Sequence, residues 1–179
     1  ILFQFARALD DLSSKAICVP QEEIRRYRQT KDGVKTGVYD EYFTGICDDL
    51  KNKSSHLLDY LNDLYPRQYL QFCQTPYLPL WPANAGQAGW FLFASLITGE
   101  PLLPLEVETM NLLIAYLLIA HQLRNTFIHP SKNRRYVKMN SPVYLDDMRT
   151  VCTKAFSLLS LTYEVDDYNE YNQPAAESE

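Results

Sequence analysis

The sequence predicts an all-α protein: a single-domain, up-and-down bundle of about five principal helices. Apolar residues recur at three-to-four spacing through most of the chain, which is the period of an amphipathic helix. The 179 residues include six glycines and ten prolines, which leaves few tight turns and several helix stops. No segment requires a β-strand. A chain of this length can bury a core without disulfides or a structural metal.

The N-terminal third is predicted to form helices separated by polar turns. The first helix has apolar residues at three-to-four spacing and is expected to end near Ser13 or Ser14. Pro20 suits the first position of a second helix. After a turn around Gly33, residues 38–65 form one long helix or two abutting ones, with a kink possible at the polar residues 51–55. His56, beside this kink, lacks a Cys, His or acidic partner at ligand spacing and is interpreted as a surface or capping histidine.

Prolines and glycines divide the remainder. Pro66 can open a short helix that runs to Cys73, and three prolines then enforce an irregular segment. Helix resumes over residues 83–98, where Gly86 and Gly89 indicate close approach to a neighbouring helix rather than a phosphate-binding loop. Pro104 is expected to open the central helix, and a last helix begins near Leu145.

The central helix changes character abruptly near its end. Residues 112–120 read LLIAYLLIA, about half the length of a bilayer-spanning helix, so they should be core. His121, Arg124, Asn125 and His129 then follow within nine residues, before Pro130 disfavours further helix. Residues four apart differ by about 40° around a helix and residues five apart by about 140°. Asn125 therefore shares a face with His121 and His129, whereas Arg124 points elsewhere unless the last turn distorts.

Two interpretations of this polar end are open from spacing alone. Cationic His or Arg side chains near a helix C-terminus are favoured by the helix dipole and can bond its free carbonyl groups. The same residues can form a functional site. His121 is ambiguous between a residue at the edge of the core and a catalytic group.

The stretch LRNTFIHP at residues 123–130 resembles the signature of the HEPN superfamily, in which an Arg, a polar residue and a His four residues after it lie late in a helix of a small all-α bundle. The resemblance covers six residues closely and the helical pattern of residues 1–163 loosely. It implies a metal-independent endoribonuclease, or a catalytically silent relative that binds RNA or a protein partner. Members commonly dimerise, so that two copies of the motif face each other.

By this resemblance, Arg124, Asn125 and His129 are the catalytic residues. His129 would act as general base or acid on the ribose 2′-hydroxyl or the leaving oxygen. Arg124 would stabilise charge on the scissile phosphate, and Asn125 would orient His129 or the phosphate. RNA supplies its own nucleophile, so no cofactor and no metal are expected.

The loop after the motif is basic and carries an aromatic residue, a composition that can hold phosphates and stack a base. Its candidate RNA-binding residues are Lys132, Arg134, Arg135, Tyr136 and Lys138; a solvated loop is the alternative. Members of the family that act as toxins with a nucleotidyltransferase antitoxin carry a Tyr two residues after the His. Ser131 stands there in this sequence, which disfavours that branch relative to CRISPR-associated and other defence nucleases.

Charge and cysteine usage complete the prediction. The net charge of −5 is concentrated at the C-terminus, where residues 164–179 carry six acidic and no basic residues; the body has 17 basic against 16 acidic residues. We therefore expect a helical domain over residues 1–163 and an acidic, disordered tail over residues 164–179. The four cysteines are far apart, without a CxxC pair, which favours reduced core thiols. We expect a cytoplasmic protein with no membrane segment, and an additional domain or regulatory partner is possible.

Overall fold

The protein is described here by a computed structural model covering residues 2–17, 21–33, 36–74, 82–128 and 142–171. Every regular element in these ranges is a helix, which confirms the all-α prediction for this part of the chain. The α-helices are α1 (Leu2–Ala16), α2 (Gln21–Gly33), α3 (Thr36–Ser54), α4 (Leu58–Leu64), α5 (Leu70–Gln74), α6 (Ala85–Ile97), α7 (Val107–Ile128) and α8 (Pro142–Tyr171).

Residues 38–65, predicted as one helix or two abutting ones, are divided by a break after α3. Ser54 leaves helical geometry, with φ −153° and ψ 62°. A short 3₁₀ turn, Ser55–Leu57, then leads into α4. A π-helical turn, Tyr65–Tyr69, joins α4 to α5 and contains Pro66, where we predicted that a new helix would open. The kink predicted at the polar residues 51–55 is therefore confirmed as a break in the helix.

The long C-terminal helices begin and end elsewhere than predicted. α7 starts at Val107 rather than Pro104, because a tight backbone turn, with Leu105 N–H donating to Leu103 O at 2.9 Å, precedes it. α8 starts at Pro142 rather than Leu145, since proline is well suited to the first helical position. α8 also continues to Tyr171, so residue 163 is not a helix end and the first part of the predicted acidic tail is helical.

α7 is the central helix of the bundle. It packs against α6, α8 and α3, and less extensively against α4 and α1. All residues from Leu113 to Ala120 are buried, as the apolar run predicted. Among the described residues, no helix combines the length and the apolar character needed to cross a bilayer. α7 is therefore a core helix, and its two ends carry the polar residues discussed below.

α6 crosses α7 at close range through two glycines, as predicted. A Cβ on Gly86 would lie 2.6 Å from the His121 ring, and one on Gly89 would lie 3.0 Å from Leu118 Cδ2. Because Gly86 faces residue 121 while Gly89 faces residue 118, the two helices run antiparallel here. Gly99 follows α6 with φ +74°, a left-handed conformation that glycine adopts without strain.

Candidate functional site

The last turns of α7 bring His121, Arg124 and Asn125 to one end of the bundle. All three are partly exposed, unlike the fully buried turns before them. The third predicted catalytic residue, His129, lies outside the described residues. So do the five predicted RNA-binding residues of the loop: Lys132, Arg134, Arg135, Tyr136 and Lys138. The described part of the site therefore comprises Arg124, Asn125 and the residues that hold them.

Asn125 is tied to His121 one helical turn earlier. Its amide nitrogen Nδ2 lies 2.8 Å from His121 Nε2. The two residues therefore share a helix face, as the spacing predicted. The other ring nitrogen, His121 Nδ1, is buried and has no hydrogen-bond partner among the described residues. Burial lowers the pKa of His121 below its ordinary value of 6.5; nearby Arg124 also lowers it, and Asp10 opposes both. His121 is therefore held as a neutral imidazole at neutral pH, able to accept the hydrogen bond from Asn125.

Arg124 points away from Asn125, toward α1. Its Nε atom lies 3.3 Å from Asp10 Oδ2, and the Arg124 side chain is 28% exposed against 9% for that of Asp10. The second carboxylate oxygen, Asp10 Oδ1, accepts a hydrogen bond from the Ala85 N–H at 2.9 Å. One buried carboxylate thus joins α1, the N-terminus of α6 and the end of α7.

The N-terminus of α6 is itself well fixed. Asn84 caps the helix, its side chain accepting from the Gln87 N–H at 3.0 Å, and Gln87 Oε1 accepts from the Ala83 N–H at 2.7 Å. Ser14, one turn after Asp10 on α1, donates to Pro82 O at 2.7 Å. These contacts fix the start of α6, and Gly86 lets the His121 ring come close to the same helix.

This arrangement suits recognition of an anion. A guanidinium held through Nε keeps its two terminal nitrogens for a second ligand, and Arg binds carboxylate and phosphate groups through such planar pairs of donors. Asn125 is the adjacent polar side chain. Within the described ranges, no three His, Cys, Asp or Glu residues are grouped so as to hold a metal ion.

The sequence interpretation missed Asp10. Among the described side chains of α1, Ala6, Leu9 and Ser13 are buried, as is Ile17 just after the helix, and Asp10 lies within this stripe at 7% exposure. A carboxylate on the apolar face of an amphipathic helix needs a partner because burying an unpaired charge is costly. That signal was present in the sequence and predicts a cationic partner, although not which one.

A second polar cluster lies at the opposite end of α7. Lys53, near the end of α3, reaches Glu108 in the first turn of α7 at 3.4 Å. Just beyond, exposed His56 lies 3.5 Å from Asp147, which accepts a hydrogen bond from Tyr60 at 2.6 Å. His56 is at the surface, as predicted, and its acidic partner comes from α8, far away in the sequence. The two histidine sites are therefore separate.

Two of the described thiols, those of Cys47 and Cys152, are poor nucleophiles at neutral pH. Burial raises the pKa of Cys152 to about 12 and that of Cys47 to about 11, with Asp10 and Asp48 respectively adding to the effect. Both cysteines are free, and because their pKa values lie well above 7, both thiols are protonated at neutral pH. Both are at least partly buried, as the sequence predicted.

A scan of protein-family models, a search of curated proteins and a search of solved structures each return no match to this chain.

Proposed function

We propose that the end of α7 is the site of a metal-independent endoribonuclease, built on a HEPN-like bundle that works as a homodimer and cleaves single-stranded RNA. The observation that carries the proposal is that Arg124 and Asn125, neighbours in the motif, are each held in place. The two side chains are adjacent in the motif and partly exposed, and each is held from within by a specific partner, Asp10 or His121. Such preorganised donors stabilise charge that develops on a phosphate.

In this proposal, each residue of the motif has one task. Arg124 binds the non-bridging oxygens of the scissile phosphate. His129 transfers a proton, as a near-neutral imidazole can, and Asn125 orients His129 or the phosphate. Lys132, Arg134, Arg135 and Lys138 attract the RNA backbone, and Tyr136 stacks on a base.

The reaction requires no group beyond the RNA and these side chains. The ribose 2′-oxygen attacks the adjacent phosphorus and loses its proton to a base. The bond from phosphorus to the 5′-oxygen breaks, and the leaving oxygen receives a proton. The products are a 2′,3′-cyclic phosphate and a 5′-hydroxyl.

The alternative is a catalytically silent module of the same kind, which binds RNA or a protein partner as a scaffold. One observation favours it: Arg124 already has an ionic partner in Asp10. An ion pair can serve stability alone, and removing one partner of a largely buried pair is costly whether or not the site is catalytic.

Cleavage of single-stranded RNA in EDTA distinguishes these functions. We expect wild type to cut, and Arg124→Ala and His129→Ala each to reduce the rate by about a hundredfold or more, because each removes a group acting on the transition state. Two matched controls, Arg67→Ala and His56→Ala, change exposed residues outside the motif and should leave the rate unchanged.

Cleavage that occurs without EDTA but not with it would contradict the proposed mechanism. So would cleavage that survives both site substitutions. Binding of RNA without cleavage by wild type would favour the scaffold.

A further inference from the structure

We propose that Asp10 is a positioning residue for Arg124: it fixes the guanidinium so that its terminal edge is presented to the scissile phosphate. This inference rests on the proposed function and adds a residue on α1, more than a hundred positions away in the chain, that the motif does not contain. Asp10 acts only through Arg124 and is not itself assigned a contact with RNA.

The geometry supports a fixed direction rather than a simple charge contact. Asp10 Oδ2 meets Arg124 at Nε, 3.3 Å away, on the side of the guanidinium nearest its own helix. The terminal nitrogens lie beyond Nε, so this contact leaves them for another ligand. Arg124 remains 28% exposed. A long side chain with several rotatable bonds is thereby restricted before any substrate arrives.

Asp10 can impose this direction because it is itself held. Its Oδ1 accepts from the Ala85 N–H at 2.9 Å, in the first turn of α6, and its side chain is almost fully buried. A capped helix start therefore holds the carboxylate, and the carboxylate holds Arg124. The direction of the guanidinium thus depends on the Ala85 N–H that holds Asp10 Oδ1.

Charge and position predict opposite results when Asp10 is neutralised. Electrostatics alone predicts that loss of a negative charge beside Arg124 strengthens attraction of RNA and does not slow cleavage. Positioning predicts that cleavage slows although the site becomes more positive, because a guanidinium displaced by about 1 Å can cost up to about a hundredfold in rate.

Asp10→Asn separates the two contacts of the carboxylate. The amide has nearly the same shape, and its oxygen can still accept from the Ala85 N–H, but it carries no charge to hold Arg124. Ser14→Ala is the matched control. Ser14 lies one turn further along α1 and anchors the segment before α6 through Pro82 O at 2.7 Å, so its loss weakens the α1–α6 connection and leaves the Asp10–Arg124 pair in place.

The test measures kcat and KM for single-stranded RNA in EDTA for wild type, D10N, S14A and R124A, at a temperature where thermal unfolding shows each variant to be folded. We expect D10N to lower kcat about tenfold to a hundredfold with KM unchanged or lower. S14A should keep the wild-type kcat even where it lowers the melting temperature.

The outcomes separate the inference from the proposed function. Cleavage that requires Arg124 but is equal or faster in D10N overturns the positioning role alone. An equal loss of kcat in D10N and S14A also overturns it, since a general loosening of α1 would then explain both. Absence of cleavage by wild type removes the proposed function, and the positioning role falls with it.

Discussion

At the scale of single residues, the site is a set of polar groups placed where an apolar core ends. Asp10 and Arg124 come from two helices far apart in the sequence and form an ion pair, and both charges act on His121. Their mutual effects are visible in His121, whose pKa is lowered first by burial and then by Arg124, with Asp10 acting in the opposite sense. The protonation of this imidazole therefore depends on both neighbouring charges.

This lowered pKa makes stability depend on pH. In the unfolded chain, His121 takes up a proton as pH falls through about 6.5, whereas the folded protein resists that proton until its own lower pKa is reached. The unfolded state thus binds more protons in this range, and the free energy of unfolding decreases as the pH decreases. Below the folded pKa, His121 contributes no further loss.

Urea unfolding at about pH 7.5 and about pH 5 checks this expectation. His121→Gln removes the titration and keeps a neutral hydrogen-bonding side chain, so its free energy of unfolding should fall less than that of wild type over the same interval. An equal fall in both proteins would show that His121 does not resist protonation in the folded state.

The site was half predictable from the sequence at this scale. Helical spacing alone placed Asn125 beside His121 and turned Arg124 to a different face, and both are confirmed. The partner of Arg124 was not predictable, because spacing within one helix says nothing about which residue a second helix brings near. Asp10 was detectable only as an acid in an apolar stripe. His129 and the basic loop remain predictions.

At the scale of elements, the contact between α6 and α7 decides where His121 lies. Gly86 and Gly89 both face α7, but a methyl group on each would meet a different neighbour. At Gly86 it would lie 2.6 Å from two ring atoms of His121, and at Gly89 it would lie 3.0 Å from a terminal carbon of Leu118. The His121 ring can move less easily than the Leu118 side chain, because it is also hydrogen-bonded to Asn125.

Gly86→Ala should therefore destabilise the protein by about 1–2 kcal/mol: overpacking costs about 1–3 kcal/mol, and replacing a helical glycine returns up to about 1 kcal/mol. Gly89→Ala should stay within about 1 kcal/mol of wild type, because the end of Leu118 can move by a few tenths of an ångström.

Chemical denaturation measures both values, and NMR of the imidazole nitrogens reports displacement of His121. We expect a shifted His121 signal in the Gly86 variant only. Equal destabilisation of both variants, with His121 signals like those of wild type, would show that the ring is not wedged against α6.

Helix boundaries show why some elements were harder to predict than others. The end of α6 was clear because Gly99 adopts positive φ, which its sequence position already indicated. The start of α7 was misplaced because Pro104 suited a first helical position, yet a local turn at Leu103 and Leu105 occupies that stretch. Proline permits a helix start and does not require one.

At the scale of the whole molecule, the helical class followed from periodicity, but the proposed function depends on assembly. Within the described residues, Arg124 points toward α1, on a different side of α7 from Asn125 and its partner His121. In the proposed homodimer, Arg124 and His129 need not meet within one chain, because a second copy can bring its His129 to the Arg124 of the first. A symmetric dimer would then contain two composite sites.

Mixing two inactive variants tests this arrangement. If each site takes Arg124 from one protomer and His129 from the other, an equal mixture of R124A and H129A should recover roughly a quarter of wild-type activity, since half of the dimers are mixed and each has one intact site of two. Light scattering should show a dimer at micromolar concentration. A monomeric wild type, or no recovery after verified subunit exchange, would exclude a composite site.

The most direct test of the central claim is the chemistry of the cut ends. Wild-type protein is incubated in EDTA with an RNA and with the same RNA carrying a 2′-deoxyribose at the mapped cleavage position, and the products are identified by mass spectrometry. Attack by the 2′-oxygen predicts a 2′,3′-cyclic phosphate and a 5′-hydroxyl, with cleavage abolished by the deoxyribose and by Arg124→Ala. A 5′-phosphate product, or a cut at the deoxyribose, would contradict the account.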